Sequence, residues 1–342
     1  MSPGSPNGRV EPGPLAAAVK AEARALGFDL CGVARAEPLD GEELRRFLAE
    51  GREAEMAYLR HRLDERLDPR VLLPGARSVV ALAVAYWRPD ARPGIARYAQ
   101  GRDYHQFLQK RLRRLRRRLL RAAPGARIHP STDTSPVMEK IWAQRAGLGW
   151  IGKNGLLLTP EHGSWVLLAT LVTDLELAPD EPQPNRCGSC ADCLPACPTG
   201  ALLGEGRLDS RRCLSYWTIE TERSIPEELR PATSRWTFGC DDCQNACPWN
   251  RSPATASLPD FAPRPIVELR CSALAGLSPE QFERHARGSP LRRAGFDGLR
   301  RSALLGLLRE GGADAREACE RLEDDPSEVV SETARWVARR LG

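Results

Sequence analysis

Eight cysteines fall between Cys187 and Cys247, a window of 61 residues, in a chain of 342 residues that holds 11 cysteines in all. No other feature limits the fold of this chain so strongly, because so many sulfurs in one segment must be cross-linked, loaded with metal or kept reduced. The compartment decides among these. The N-terminus, Met1-Ser-Pro-Gly-Ser-Pro-Asn-Gly, is polar and turn-forming, and it lacks the apolar core of a secretory signal. A chain kept in the cytoplasm has reduced thiols, so clustered cysteines read as metal ligands rather than disulfides. The longest apolar run, Val79 to Trp87, is 9 residues, about half of the ~18 that a spanning helix needs, which excludes a membrane partner. Cys31, Cys271 and Cys319 have no partner in the sequence and read as small buried residues.

The spacing names the metal. Cys187-x2-Cys190-x2-Cys193-x3-Cys197-Pro198 is the bacterial ferredoxin run, in which three cysteines hold one 4Fe-4S cluster and the fourth, before proline, reaches across to a second. Cys240-x2-Cys243-x3-Cys247-Pro248 repeats its ending one cysteine short, and Cys213 stands between the runs to supply the missing ligand. Crossing then assigns Cys187, Cys190, Cys193 and Cys247 to cluster 1, and Cys197, Cys213, Cys240 and Cys243 to cluster 2. Structural zinc is the alternative for paired cysteines, but it gives no reason for a third cysteine at x2, a fourth at x3 and a following proline, twice over.

Length and composition set the frame around this module. At ~150 residues per domain the chain has room for two or three domains, and 42% hydrophobic with 28% charged residues is ordinary globular usage. Residues 1–14 read as a disordered tail. Residues 15–177 alternate amphipathic helices with buried strands, Ser78 to Tyr86 and Ser164 to Leu177, as in an α/β layer domain. A segment with three prolines, Ala178 to Asn185, opens the iron-sulfur module at 178–255. Residues 256–342 carry helical periodicity at Leu299–Arg309, Ala313–Leu322 and Val329–Leu341, similar to short HEAT-type units.

Two clusters move single electrons, and the large domain ahead of them is where those electrons should end. Gly147-Leu-Gly-Trp-Ile-Gly152 fits G-x-G-x-x-G, but it follows a helix and precedes a strand, the reverse of a dinucleotide fingerprint. It reads instead as a glycine turn where backbone can approach a ligand, extended by Lys153 and Asn154. Asp133, in Thr-Asp-Thr-Ser-Pro136, has the composition of a helix start; desolvated, it would be an acid able to hold and donate a proton. Arg97-Tyr98 and Arg102-Asp-Tyr-His105 crowd charges and aromatics into nine residues. Lys110 to Arg121 holds 8 basic residues in 12, with Leu108, Leu112, Leu115 and Leu119 as its buried stripe. That helix is either a solvated face or a phosphate-binding surface, and a net charge of only +5 means its basicity is local.

Taken in order, Gly101-Arg-Asp-Tyr-His105, Asp133-Thr-x-Pro136, Ala146-Gly-Leu-Gly-Trp-Ile-Gly-Lys-Asn154, the two cysteine runs, Cys213-x-Ser-Tyr216 and Gly239-Cys-Asp-Asp-Cys243 closely resemble the epoxyqueuosine reductase family, from about residue 15 onward. The resemblance implies an α+β multidomain chain: a nitroreductase-like α/β domain that binds cobalamin, a ferredoxin-like two-cluster module and a HEAT-like helical tail. It implies reduction of epoxyqueuosine to queuosine at the tRNA wobble position, electrons passing from an external low-potential donor through the clusters to cobalamin. Asp133 matches the family's proton donor. Arg66, Arg97, Ser215 and Asp241 are placed as cobalamin contacts, and Lys153 is added from its position in the glycine turn. With no long apolar stripe left for a partner, a monomer is expected. A corrinoid reductase of small organic substrates, of the reductive dehalogenase kind, is the alternative.

Overall fold

In the computed structural model, which describes residues 11–341, the strands are β1 (Leu30–Arg35), β2 (Ser78–Ala85), β3 (Ile128–Ser131), β4 (Trp150–Ile151), β5 (Leu157–Leu158), β6 (Val166–Thr173), β7 (Leu202–Gly204) and β8 (Arg207–Leu208). Four of them make one antiparallel sheet in the order β1-β2-β6-β3. β2 is buried along its whole length, which is why it reads as an unbroken apolar run rather than an alternating one. Its side chains still alternate between faces. Val80, Leu82 and Val84 pack on the Pro12–Ala25 and Tyr104–Ala122 helices through Val19, Leu108, Leu112 and Leu115. Val79, Ala81 and Ala83 pack on the opposite face against Trp142 and Ala143 of the Glu139–Arg145 helix, with Leu39 and Leu67. Each fully buried Val or Leu here stabilises the fold by about 1.5–3 kcal/mol.

Three expected boundaries move. The first helix begins at Pro12, inside the expected tail, because proline is well suited to a first helical turn; the rest of that tail, residues 1–10, lies outside the described residues. β6 ends at Thr173 rather than Leu177. The proline segment after it is a strap, since the Asp180 carboxylate accepts the Val33 amide at 2.8 Å and pairs with Lys20, while Ala178 N donates to Pro12 O. Beyond the cysteine module, Ala256 and Phe261 pack in the core of the first domain, and Asp260 pairs with Arg102 and Arg111.

The tail is helical, with its centre at Phe296–Glu310, a helix whose residues Gly298 to Leu307 are all buried. Gly312–Glu320 and Glu328–Leu341 pack beside it. Two shorter helices, Cys271–Ala275 and Pro279–Ala286, precede it. Arg301 fastens this tail to the cysteine module: its guanidinium is buried and donates to the carbonyls of Trp217, Thr221 and Arg223, beyond the end of the Leu214–Ile219 helix and its last turn. Among the described residues, no helix is long and apolar enough to cross a membrane.

Candidate active site

The eight thiols form two sets. Cys187, Cys190 and Cys193 meet Cys247 around a cavity of about 90 Å³ whose wall also includes Lys153, Asn154 and Trp249. Cys247 senses the charges of Cys187, Cys193 and Cys190. Cys243 senses Cys213 and Cys197, and Cys240 senses Cys243 and Cys213. Cys187, Cys190, Cys193 and Cys247 thus line one cavity, while Cys197, Cys213 and Cys240 lie near Cys243, which is also close to Cys193. Burial pushes the Cys193, Cys213, Cys240, Cys243 and Cys247 thiols up, Cys243 to about 12. For Cys197 burial is outweighed by hydrogen bonds from the Thr199 hydroxyl and the Ala201 and Leu202 backbone, which hold it low. All-sulfur sets of four are the donor chemistry of 4Fe-4S clusters, so the residues fit that cofactor. Of the other cysteines, Cys271 and Cys319 are buried and Cys31 is half-buried.

Asp133 lies in the first domain, on the side that faces the second set and the tail. The Asp133 side chain is 62% exposed, yet its charge is felt by Tyr58, Tyr98, Tyr104, Glu139 and Arg293, which come from both the first domain and the tail. Lys140, on the following helix, donates to Gly155 O at 2.7 Å, and burial lowers its amine. Tyr98 lies near both Asp133 and Asp241, and Asp241 lies near Cys243 of the second cysteine set. Arg293 is paired to Glu220 at 2.7 Å and lies 5.9 Å from the Tyr58 ring centre.

Asp133 itself is held from two directions. Its side chain accepts from Tyr104 Oη and His105 Nε2, both at 3.0 Å, and His105 Nδ1 donates to Asp103 at 2.8 Å. Asp103 caps the Tyr104–Ala122 helix, so its first turn presents both donors. Its backbone sits at φ +60°, and Thr134 N donates to Thr132 O at 2.7 Å across it. That is a γ-turn of the rare left-handed kind, strained for a residue with a side chain. Desolvation does not keep Asp133 protonated as expected: the His105 hydrogen bond outweighs burial, Tyr104 adds to it, and the carboxyl is held low. Burial disfavours the His105 charge, but hydrogen bonds to Asp103 and Asp133 carry it up to about 9. The stored proton therefore sits on His105, against the Asp133 carboxylate.

The remaining expected contacts divide. Arg66 lies beside Tyr58, donating to the Tyr58 and His61 carbonyls. Asp241 is buried, accepts the Arg97 amide at 2.8 Å, and is pushed up to about 6 by burial. Ser215 hydrogen-bonds the Cys213 thiol. The Arg97 guanidinium is engaged elsewhere, on Arg88 O and the rings of Trp87 and Trp165. Lys153 donates to the carbonyls of Gly188 and Cys190 at 2.9 and 2.7 Å, which puts it on the loop of the first cysteine set. Within the glycine motif, a Cβ on Gly149 would stand 1.9 Å from Leu158 O, so this glycine lets the β4-β5 hairpin close on itself. Glu139, Arg293 and Glu220 were not legible in the sequence, because nothing in their spacing links residues from three separate segments.

Fold and site together define an iron-sulfur reductase with a carboxylate-histidine pair in the domain ahead of its cysteine module. The chain is 44% identical over 317 residues to the epoxyqueuosine reductase of Gloeobacter violaceus, covering 89% of this chain and 99% of that one. It belongs to the epoxyqueuosine reductase family. Residues 66–134 match the family model "Epoxyqueuosine reductase QueG, DUF1730", and residues 186–250 match a 4Fe-4S double cluster binding domain. The enzyme of Pseudomonas aeruginosa is 39% identical over 349 residues, 97% of this chain and 96% of its own. Among solved structures, an epoxyqueuosine reductase with a tRNA-Tyr epoxyqueuosine-modified stem loop superposes with a TM-score of 0.89 at 32% identity, over 96% of this chain and 90% of that one. A Bacillus subtilis epoxyqueuosine reductase whose catalytic aspartate loop is swung out of the active site superposes with a TM-score of 0.87 at 31% identity, over 96% and 91%.

Proposed function

We propose that the chain carries out its family's reaction beside Asp133, on epoxyqueuosine in the wobble position of a tRNA anticodon. Removing the epoxide oxygen takes two electrons and two protons, releases water and leaves a carbon-carbon double bond. Cobalamin bound there, loaded through the two 4Fe-4S clusters from an external low-potential donor, supplies the reducing power at carbon. The chain's own residues supply the rest. Asp133 orients the departing oxygen and delivers one proton, which His105 stores and Asp103 holds in place, and the second proton comes from solvent as the oxygen leaves as water. Tyr104 fixes the carboxylate in the same position. Arg66, Ser215 and Asp241 hold the cofactor's periphery, while Arg97 and Lys153 act on the frame around it. The tail and the basic Tyr104–Ala122 helix present cations to the RNA, with the tail in HEAT-like stacking.

The observation that carries this reading is the Asp103-His105-Asp133 chain of hydrogen bonds on the side of the first domain that faces the second cysteine set. The test uses protein purified without oxygen, with its clusters reconstituted, mixed with cobalamin, a low-potential reductant and tRNA carrying epoxyqueuosine. Queuosine should appear in the digested tRNA only when cobalamin is present. An unchanged corrinoid spectrum together with no queuosine would refute the reading.

A further inference from the structure

We infer that Glu139 is the positioning residue of the reaction: its carboxyl group, by accepting the Asp133 amide, keeps the acid's loop in place against Tyr104 and His105. The inference rests on Asp133 being the proton donor, and it adds a residue with no contact to substrate or cofactor.

The geometry is specific. Glu139 Oε1 accepts the Asp133 backbone N–H at 2.8 Å and the Ser131 hydroxyl at 3.4 Å. One carboxyl oxygen therefore ties the last residue of β3 to the centre of the γ-turn. A left-handed conformation at a residue bearing a side chain persists only where its surroundings over-determine it. Three bonds do that here. Thr132 Oγ1 donates to Leu168 O at 3.1 Å and pins the near side of the turn to β6. Thr134 N closes the turn itself. Glu139 holds the amide at the turn's centre from the Glu139–Arg145 helix, as Leu168 holds Thr132 from β6. Tyr104 and His105 grip the carboxylate but leave the backbone free, so without Glu139 the turn could relax and withdraw the acid from its place. Trp142 and Ala143, one turn further along the same helix, are buried against the sheet, which gives the acceptor a rigid base. Burial raises the Glu139 carboxyl to about 8, as expected of a group placed for its hydrogen bond and not for solvation.

The test compares Glu139→Gln, whose amide oxygen can still accept the N–H, with Glu139→Leu, which cannot. Two readouts are taken on the full chain. Hydrogen-deuterium exchange of the peptide spanning residues 131–138 needs no turnover, so it stands apart from the functional reading above. Single-turnover kinetics with tRNA carrying epoxyqueuosine give kcat and KM separately. Glu139→Leu should exchange faster in that peptide and lose at least about tenfold in kcat, with KM, iron content and cobalamin uptake unchanged. Glu139→Gln should stay within about threefold of the wild type on both measures. Wild-type exchange in Glu139→Leu, or a Gln variant as impaired as Leu, overturns the inference. So does a Leu variant that also loses iron or cobalamin, since that marks a general structural role. If Glu139→Leu does not fold, Glu139→Asp replaces it, because its carboxyl is one methylene too short to reach the amide, and the same outcomes apply.

Discussion

Asp133 and His105 share one proton, and their surroundings decide where it rests. The pair titrates as a unit. His105 is raised from its ordinary ~6.5 to about 9, so its contribution to folding is complete below ~6.5 and is lost as pH rises through about 9. Asp133 and Asp103 are lowered, so theirs is present above the ordinary ~3.9 of a carboxyl and is lost as pH falls further. Catalysis follows the proton. The single-turnover rate should be level from about pH 7 to 8 and fall through about 9 as His105 empties. His105→Asn should lower the rate by about a hundredfold and remove that fall. A pH profile of the two proteins checks both statements, and a variant that keeps the alkaline fall would place the titrating group elsewhere.

The elements around the site show what a sequence can convey. β2 and the two cysteine runs were readable because burial on both faces and metal spacing leave periodic marks. The Asp133 loop was readable only as a helix start: its γ-turn depends on Glu139 and Leu168, and no local pattern encodes bonds to distant residues. The cost of such strain is of order 1–3 kcal/mol, which those bonds must offset. In the glycine motif, Gly147 and Gly149 are required by close approach to the chain's own backbone, which the spacing alone does not convey. Gly149→Ala should therefore destabilise the chain by at least about 2 kcal/mol without altering nucleotide affinity, because its Cβ would stand 1.9 Å from Leu158 O. Thermal melting and a nucleotide titration test this. The basic helix separates into two groups. Arg111, Arg116 and Arg118 are bonded within the protein. Lys110, Arg113, Arg114, Arg117 and Arg121 are exposed along one stripe. Changing Arg113, Arg114 and Arg117 to Gln should weaken tRNA binding and lower the slope of log K against log salt by up to about 0.9 per lost phosphate contact. Unchanged slopes would leave this stripe a solvated face.

At the scale of the whole molecule, three segments distant in the chain are fastened together. Asn250 of the cysteine module accepts the Ser164 amide at 2.7 Å and donates to the Ser164 hydroxyl at 2.8 Å, next to β6. Arg301 joins tail to module; Arg301→Ala, which leaves three carbonyls without their donor, should cost about 3 kcal/mol and release the tail from the module. Melting curves and proteolysis of the tail would show this. The sequence indicated three working parts but not their stitching, because single buried side chains such as these carry no periodic signal. The crossing of the cysteine runs has its own test: Cys247→Ala should erase the cluster 1 signal in electron paramagnetic resonance and leave cluster 2 in place. The central claim, that Asp133 delivers the proton in a reaction driven through the clusters, is tested most directly by single-turnover conversion of epoxyqueuosine tRNA by Asp133→Asn with both clusters and cobalamin bound. The account predicts a rate lower by at least about a hundredfold, with iron content and corrinoid spectrum unchanged. Conversion as fast as the wild type would contradict it.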